Sequence, residues 1–368
     1  EIVSRDWSSD VCSSDLRNIV TTFSINDTQN MDLALKLAHQ GMQGVGANPM
    51  VGCVIEKAGS IIAQGYHQTF GQAHAEVNAL EQINYQAKDS TLYVTLEPCS
   101  HQGKTPPCAQ AIINSGVKKV IIAMLDPNPL VSGQGVSMLK NSGIEVEVGL
   151  LEEQAQQLNR GFIKRMETQR PFVTCKIAMS LDGKTSMHSG ESKWITGEHA
   201  RADVQKLRSE NQVIMTGSGT VLADNPSMTV RLKDVGTSPI RVVVDSQHQI
   251  TDKTLNIFSK DASTQIFNTD NTKLDAVGKV SLRDVLLQLG KQGINTILLE
   301  AGPGLIGAMI SHNLIDEFII YTAPVLLGSD ANSMAQLPIT DMAHKINLDI
   351  SDMRMIDKDM RITASIKS

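Results

Sequence analysis

His74 and Glu76 stand two residues apart in 71-GQAHAEVNAL-80, and two cysteines follow: Cys99 behind Pro98, and Cys108 behind Pro106-Pro107. A zinc ion that hydrolyses a bond needs three protein ligands and one position left for water. His74, Cys99 and Cys108 supply such an N-S-S set, with both sulfurs bound as thiolates. Cys108 follows its proline pair at an expected helix start, where the helix dipole lowers a thiol pKa. Cys99 ends a buried strand, a rigid place for a ligand. On a regular helix, residues i and i+2 are about 200° apart, so His74 and Glu76 cannot chelate from one helical face. Glu76 is therefore expected beside the metal, taking a proton from the bound water and giving it to a leaving amine. The metal would lower that water's pKa from about 15.7 to about 7.

Blander readings exist for each residue. A lone His-x-Glu more often caps a helix or faces solvent, and two cysteines are often buried hydrophobes. The four in order, with a proline before each cysteine, favour zinc. A structural zinc would need a fourth ligand, for which His101 is the nearest candidate. Cys53, inside an apolar run, is expected to be packing. His39 and His67 are expected to be ordinary polar positions.

Such side chains need rigid carriers. The runs 50-MVGCVIE-56 and 61-IIAQGYH-67, joined by Lys57-Ala58-Gly59-Ser60, predict a hairpin. Residues 31–43 have helical spacing in Leu33, Leu37 and Met42. A helix from about 74, strand 91–97, helix 109–115, strand 118–125, helix 134–142 and strand 144–150 follow. They imply one mixed sheet with helices on both faces. A short helix over 151–165 leads to a second alternating series. Its strands are expected at 172–179, 211–216, 240–245, 294–300, 316–322 and near 361–366, and its helices at 198–209, 281–291 and 303–312. The expected division is a tail over 1–25, a first domain over 26–150, a linker over 151–170 and a second domain over 171–368. The class is α/β throughout.

The four-residue set resembles the zinc-dependent nucleobase deaminases, whose signature is H-x-E followed by P-C-x-x-C. Here eight residues, not two, separate the cysteines. That departure matches a narrower relative. The stretches 97-EPCSHQGKTPPC-108, 48-NPMVGCVI-55 and 126-DPNP-129 resemble the bifunctional deaminase/reductase family of riboflavin biosynthesis. The resemblance implies a cytidine-deaminase-like three-layer αβα first domain. It also implies that Asn48 holds a pyrimidine edge, and that Lys104, Asp126 and Asn128 hold the ring or a ribose phosphate. Without it, DPNP reads as a turn and Lys104 as a solvated loop lysine.

In the second half, 298-LLEAGPGLIGAM-309 leaves a buried strand and opens a helix. Its glycines admit a ligand to the backbone, and free N–H groups at the helix start favour phosphate. It is not the G-x-G-x-x-G fingerprint, so a standard dinucleotide fold is not expected. The stretches 176-KIAMSLDGKTS-186, 191-ESKWIT-196 and 216-TGSGTVLADNPSMTVR-231 resemble the reductase half of the same family, a dihydrofolate-reductase-like α/β fold. By position, the resemblance puts NADPH contacts on Ala178, Trp194, Thr220, Asp224, Ser246, Gly302, Pro303, Gly304, Leu305, Ile306, Gly307 and Ala308. It puts substrate contacts on Ser192, Arg208, Met228, Arg231 and Glu300. Arg208 and Arg231 could clamp a ribose phosphate through bidentate bonds. Lys176 and Asp224 are candidates for proton handling. A surface Arg208 and a core Trp194 are the plain alternatives.

The implied enzyme uses one zinc ion and NADPH. It deaminates a phosphoribosylated diaminopyrimidinone, then reduces its ribosyl group to the open-chain ribityl form. The alternatives are a nucleic-acid base deaminase with an unrelated nucleotide-binding domain, and a structural zinc module on a nucleotide-binding scaffold.

Bulk properties narrow these. The 368 residues, 41% hydrophobic and 20% charged, suit two ordinary soluble domains. The net charge is −6, and residues 31–150 carry seven lysines, no arginine and nine acidic residues, a local net of −2. A nucleic-acid binder would show a basic stripe, so none is expected as partner. No apolar run approaches the roughly 18–20 residues of a membrane span. There is no signal-peptide layout, and five irregularly spaced cysteines suit a reducing cytoplasm. A homo-oligomer is allowed but not specified. The stretch 4-SRDWSSDVCSSDL-16 resembles translated adapter sequence and is expected to be non-native, Cys12 included.

Overall fold

The computed structural model describes residues 23–100, 107–128, 131–232 and 238–367. The expectations for the tail before residue 23, for Lys104 and for His101 fall outside them.

The first half runs α1 (Ile25–Gln40), β1 (Gly52–Lys57), β2 (Ser60–Tyr66), α2 (Ala75–Gln82), β3 (Thr91–Val94), α3 (Cys108–Ser115), β4 (Lys119–Ile122), α4 (Gln134–Asn141) and β5 (Glu145–Val148). Its sheet has the order β2-β1-β3-β4-β5. β1 pairs antiparallel with β2 and β3, while β3, β4 and β5 are parallel. The β1–β2 turn places Ala58 and Gly59 at φ +50° and +82°, the twist a two-residue hairpin favours.

Alternate residues of each strand go to opposite faces. Cys53, Ile55, Leu92, Val94, Val120 and Ile122 pack with Ala79, Leu80, Ala109, Ile112 and Leu139 of α2, α3 and α4. Val54, Tyr93 and Ile121 pack with Met31, Ala34 and Leu37 of α1. The result is three layers, as expected. Cys53 is fully buried in this packing.

α1 starts six residues before the expected 31. Ser24 caps it, its hydroxyl accepting from the Asp27 N–H while Asp27 accepts from the Ser24 N–H. Such a box contributes on the order of 1 kcal/mol. Asp27 also accepts from the Tyr93 hydroxyl at 2.7 Å, fastening the helix start to the sheet. The first turns, INDTQN, lack apolar periodicity, so only the cap marks them. Ser24 and Ile25 therefore belong to the first helix and not to the tail.

α5 (Glu152–Leu158) and α6 (Arg160–Thr168) replace the single expected helix and lead into β6 (Phe172–Ser180). The second half continues β7 (Lys184–Ser186), α7 (Glu198–Ser209), β8 (Val213–Gly217), α8 (Ser218–Asp224), β9 (Ile240–Val244), β10 (Thr264–Phe267) and α9 (Leu282–Lys291). It ends β11 (Thr296–Leu299), α10 (Pro303–Ser311), β12 (Glu317–Ala323), β13 (Asn332–Ser333), β14 (Leu348–Ile356) and β15 (Asp359–Ile366). Its eight-stranded sheet has the order β10-β9-β8-β11-β6-β12-β15-β14. The first six of these strands are parallel, and the β14–β15 hairpin closes one edge antiparallel. One face packs α9 and α10 through Val285, Leu289, Ile306 and Met309. The other packs Val204 and Leu207 of α7 and Val221 of α8.

Candidate active sites

Antiparallel pairing brings the start of β1, the end of β2 and the ends of β3 and β4 to one edge of the first sheet. Asn48, His67, Cys99 and Asp126 all follow or precede these strand ends. His74 is the N-cap of α2, with extended backbone (φ −77°, ψ 169°). Because it lies outside the helical screw, the conflict between positions i and i+2 does not arise. Glu76, in the first turn, is 3% exposed.

Cys108 is the first residue of α3 behind Pro107. Its N–H donates to Cys99 Sγ at 3.3 Å, and the Ala109 N–H donates to the Cys99 carbonyl at 3.2 Å. His74 Nδ1 lies 3.3 Å from Cys108 Sγ and 3.7 Å from Cys99 Sγ. All three ligand atoms fall within 4.8 Å of one another. Two donors on one tetrahedral zinc, with Zn–S about 2.3 Å and Zn–N about 2.0 Å, would stand about 3.5 Å apart. The spacing therefore fits zinc as it is, and three donors are one short of a closed tetrahedron.

The charges fit as well. The Cys99 thiol is pushed down to about 4 by the hydrogen bond from Cys108, against burial, and by His74. The same bond and burial push Cys108 up. A dication would bind both as thiolates. Burial and the negative Cys99 push Glu76 up to about 7.

His67 was expected to be an ordinary polar residue, and the structure differs. It is 2% exposed. Its Nδ1 lies 3.1 Å from the Ala73 carbonyl, which can only accept, so Nδ1 carries the proton. Burial pushes its pKa down, keeping the ring neutral. Nε2 then accepts from Asn48 Nδ2 at 3.0 Å, which fixes the orientation of the Asn48 amide. The His67 ring also meets His74 edge-on at 5.2 Å. Its sequence signal is only a histidine at a strand end.

Glu97 was also missed. Buried two residues before Cys99, its carboxylate accepts from the N–H groups of Asp126 (3.2 Å), Gly133 (2.9 Å) and Val136 (3.1 Å). Asp126 in turn accepts from the Asn128 N–H at 2.8 Å. One carboxylate thus ties Asp126 and the start of α4 to the segment after β3 that carries Cys99.

The second half holds a separate cavity of about 1170 Å³. The parallel strands end on one edge, the usual ligand edge of such sheets. Ala178 comes from β6, Thr220 and Asp224 from the segment after β8, Ser246 from the end of β9, and Glu300 and Gly302 from the end of β11. Ser192, Trp194, Arg208, Met228, Arg231, Pro303, Gly304, Leu305, Ile306 and Ala308 also line it. Gly307 does not line it. It faces the Gln336 carbonyl, 2.0 Å from where a Cβ would stand, so its role is helix packing. Gly302 caps α10 in extended backbone with Pro303 at the first turn, leaving N–H groups free at the cavity wall. Trp194 is 67% exposed and not core, with Arg201 stacked 4.7 Å from its ring centroid. Lys279 and Arg283, not foreseen, add two cations to the lining.

Arg208 is largely buried at the cavity wall and already paired. Its Nε and Nη2 donate to Glu300 at 2.6 and 3.1 Å, and Nη1 donates to the Thr229 carbonyl. Lys176 Nζ reaches the same carboxylate at 3.4 Å. Burial would raise the Glu300 pKa, but Arg208 and Lys176 outweigh it and hold the carboxylate at about 2.

The family model for the cytidine and deoxycytidylate deaminase zinc-binding region matches residues 24–124, and that for the RibD C-terminal domain matches residues 171–362. The riboflavin biosynthesis protein RibD of Escherichia coli is 44% identical, covering 91% of this chain and 98% of its own. That of Haemophilus influenzae is 43% identical, over 94% and 99%. The structure of Acinetobacter baumannii RibD superposes with a TM-score of 0.85 at 42% identity, over 93% of this chain and 99% of that one. A diaminohydroxyphosphoribosylaminopyrimidine deaminase/5-amino-6-(5-phosphoribosylamino)uracil reductase from Thermotoga maritima gives 0.85 at 34% identity with the same coverage. Among the described residues no helix is long and apolar enough to cross a membrane.

Proposed function

This chain belongs to the RibD family, a bifunctional deaminase and reductase of riboflavin biosynthesis, and from that premise we propose how each half works on its substrate. The substrates are those in the name of the Thermotoga relative. Residues 24–150 remove an amino group from the diamino-phosphoribosylaminopyrimidine. Residues 171–368 reduce the resulting phosphoribosylaminouracil to its ribityl form, with 151–170 as linker.

His74, Cys99 and Cys108 would hold zinc, which supplies a water acidic enough to act as hydroxide at neutral pH. Glu76 takes the proton from that water and delivers it to the departing amine, which leaves as ammonia. Asn48, its amide fixed by His67, holds the pyrimidine edge. Lys104, with Asp126 and Asn128 on the loop tied down by Glu97, holds the ring or the ribose phosphate.

In the second half, NADPH would supply the hydride. The N–H groups of Gly302, Gly304 and Leu305 and the Gly217–Thr220 segment would hold its pyrophosphate, with Ala178, Ser246 and Ala308 along the same wall. Trp194 would lie against a ring of the cofactor, and Lys279 and Arg283 would supply the positive charge for its 2′-phosphate. Arg231, Ser192 and Met228 contact the substrate. Lys176, held by Glu300, donates the proton that opening of the ribose ring requires. Arg208 keeps Glu300 ionised and in place.

The observation that carries this reading is the meeting of His74, Cys99 and Cys108 at zinc spacing beside a buried Glu76. Zinc analysis with a coupled assay tests it. One zinc per chain, ammonia release from the diamino substrate and NADPH oxidation with the deaminated product are expected. Ammonia release from metal-free protein would refute the first half, and failure to oxidise NADPH with the deaminated product the second.

A further inference from the structure

The loop that carries Asn48 is held by residues that belong to neither the first sheet nor its helices. The Gly46 carbonyl accepts from Gln212 Nε2 at 2.7 Å. The Ala47 carbonyl accepts from Arg165 Nη2 at 2.7 Å. Asn159, 2% exposed, brackets Met50, accepting from its N–H at 2.8 Å and donating to its carbonyl at 2.9 Å. Asn295 joins the set, its N–H donating to Gln212 Oε1 and its Oδ1 accepting from Arg165 Nε, both at 2.6 Å. Asn48 thus sits between backbone anchors on either side. All the anchoring side chains lie beyond residue 158, outside the match to the deaminase zinc-binding region.

We infer that Gln212, Asn295 and Arg165 are positioning residues of the deaminase, so that the reductase half and the linker complete the pyrimidine-binding loop of the first half. The inference rests on the reading of Asn48 as a substrate contact. A side chain can aim an amide only as well as its backbone is held, and misplacement by about 1 Å costs up to about 100-fold in rate. The His67 bond sets the rotation of the Asn48 amide, and the carbonyl anchors set where its Cα stands. Gln212 and Asn295 lie just before β8 and β11, whose far ends bear Gly217 and Glu300 at the reductase cavity. The anchors are thus a strand's length from the reductase chemistry and can be changed without touching it.

Kinetics of the full-length enzyme test this. Gln212→Glu keeps an acceptor for the Asn295 N–H but turns a carboxylate on the Gly46 carbonyl. Arg165→Ala removes the donor to Ala47, and Arg165→Lys can keep one donor there. Gln212→Glu and Arg165→Ala should raise the deamination KM about tenfold or more, with kcat within about twofold. Zinc content and the kinetics of NADPH-dependent reduction should stay at wild-type values, and Arg165→Lys should recover most of the affinity. Asn48→Ala separates the two readings. If it leaves KM unchanged, the assignment of Asn48 fails and this inference with it. If it raises KM while Gln212→Glu and Arg165→Ala do not, the inference alone is overturned. Parallel loss of zinc, kcat and reductase activity would overturn it too, because that pattern marks general unfolding.

Discussion

Glu300 and Arg208 meet edge to edge, with Nε to Oε1 at 2.6 Å and Nη2 to Oε2 at 3.1 Å, across 92 residues of sequence. Both are largely buried, and Lys176 shares the carboxylate. Removing one member of such a pair leaves a buried charge and costs about 3–5 kcal/mol. Arg208→Met should lower the unfolding temperature of the second half and abolish NADPH oxidation, while zinc stays bound. Calorimetry and the reductase assay read this out. The pH dependence follows from Glu300, whose folded pKa of about 2 lies below the ordinary carboxylate value. Its stabilising contribution is complete above about pH 4.3 and is lost as pH falls through about 2. In Arg208→Met burial acts with less opposition, so acid unfolding should begin at higher pH.

Cys108→Ser removes one thiolate from a three-donor set. Zinc content should fall to about a tenth of wild type or less, and deamination with it. Reduction of the deaminated substrate should continue within about twofold, because the cavity of the second half contains no part of this cluster. Metal analysis alongside the two separate assays checks the outcome.

Arg283 lines the same cavity as Ser246 and Lys279. A charge-assisted contact to the 2′-phosphate is worth about 1.5–3 kcal/mol. Arg283→Ala should therefore raise KM for NADPH about tenfold or more and leave the weaker use of NADH unchanged. Equal effects on both cofactors would place Arg283 elsewhere.

The zinc-ligand candidates were legible because the signal is local: His-x-Glu at a helix start and two prolines before two cysteines. The roles of His67 and Glu97 were not, since each depends on partners 19 to 39 residues away across the sheet edge. The pairing of Arg208 with Glu300 was not legible for the same reason, because nothing near Arg208 in sequence announces Glu300. The parallel core strands declared themselves as apolar runs. β14 did not, because a register shift between Ile350 and Asp352 breaks its alternation and its apolar residues, such as Met353 and Met355 at 63%, are exposed. β10 has only four residues, TQIF, two of them polar.

One chain carries out the two reactions at separate centres, deamination first. NADPH consumption by Glu76→Gln tests it most directly. With the diamino substrate the variant should consume no NADPH while still binding one zinc. With the deaminated substrate it should consume NADPH at the wild-type rate. Wild-type consumption with the diamino substrate would contradict the account, for it would mean either that Glu76 does not carry the proton or that reduction does not wait for deamination.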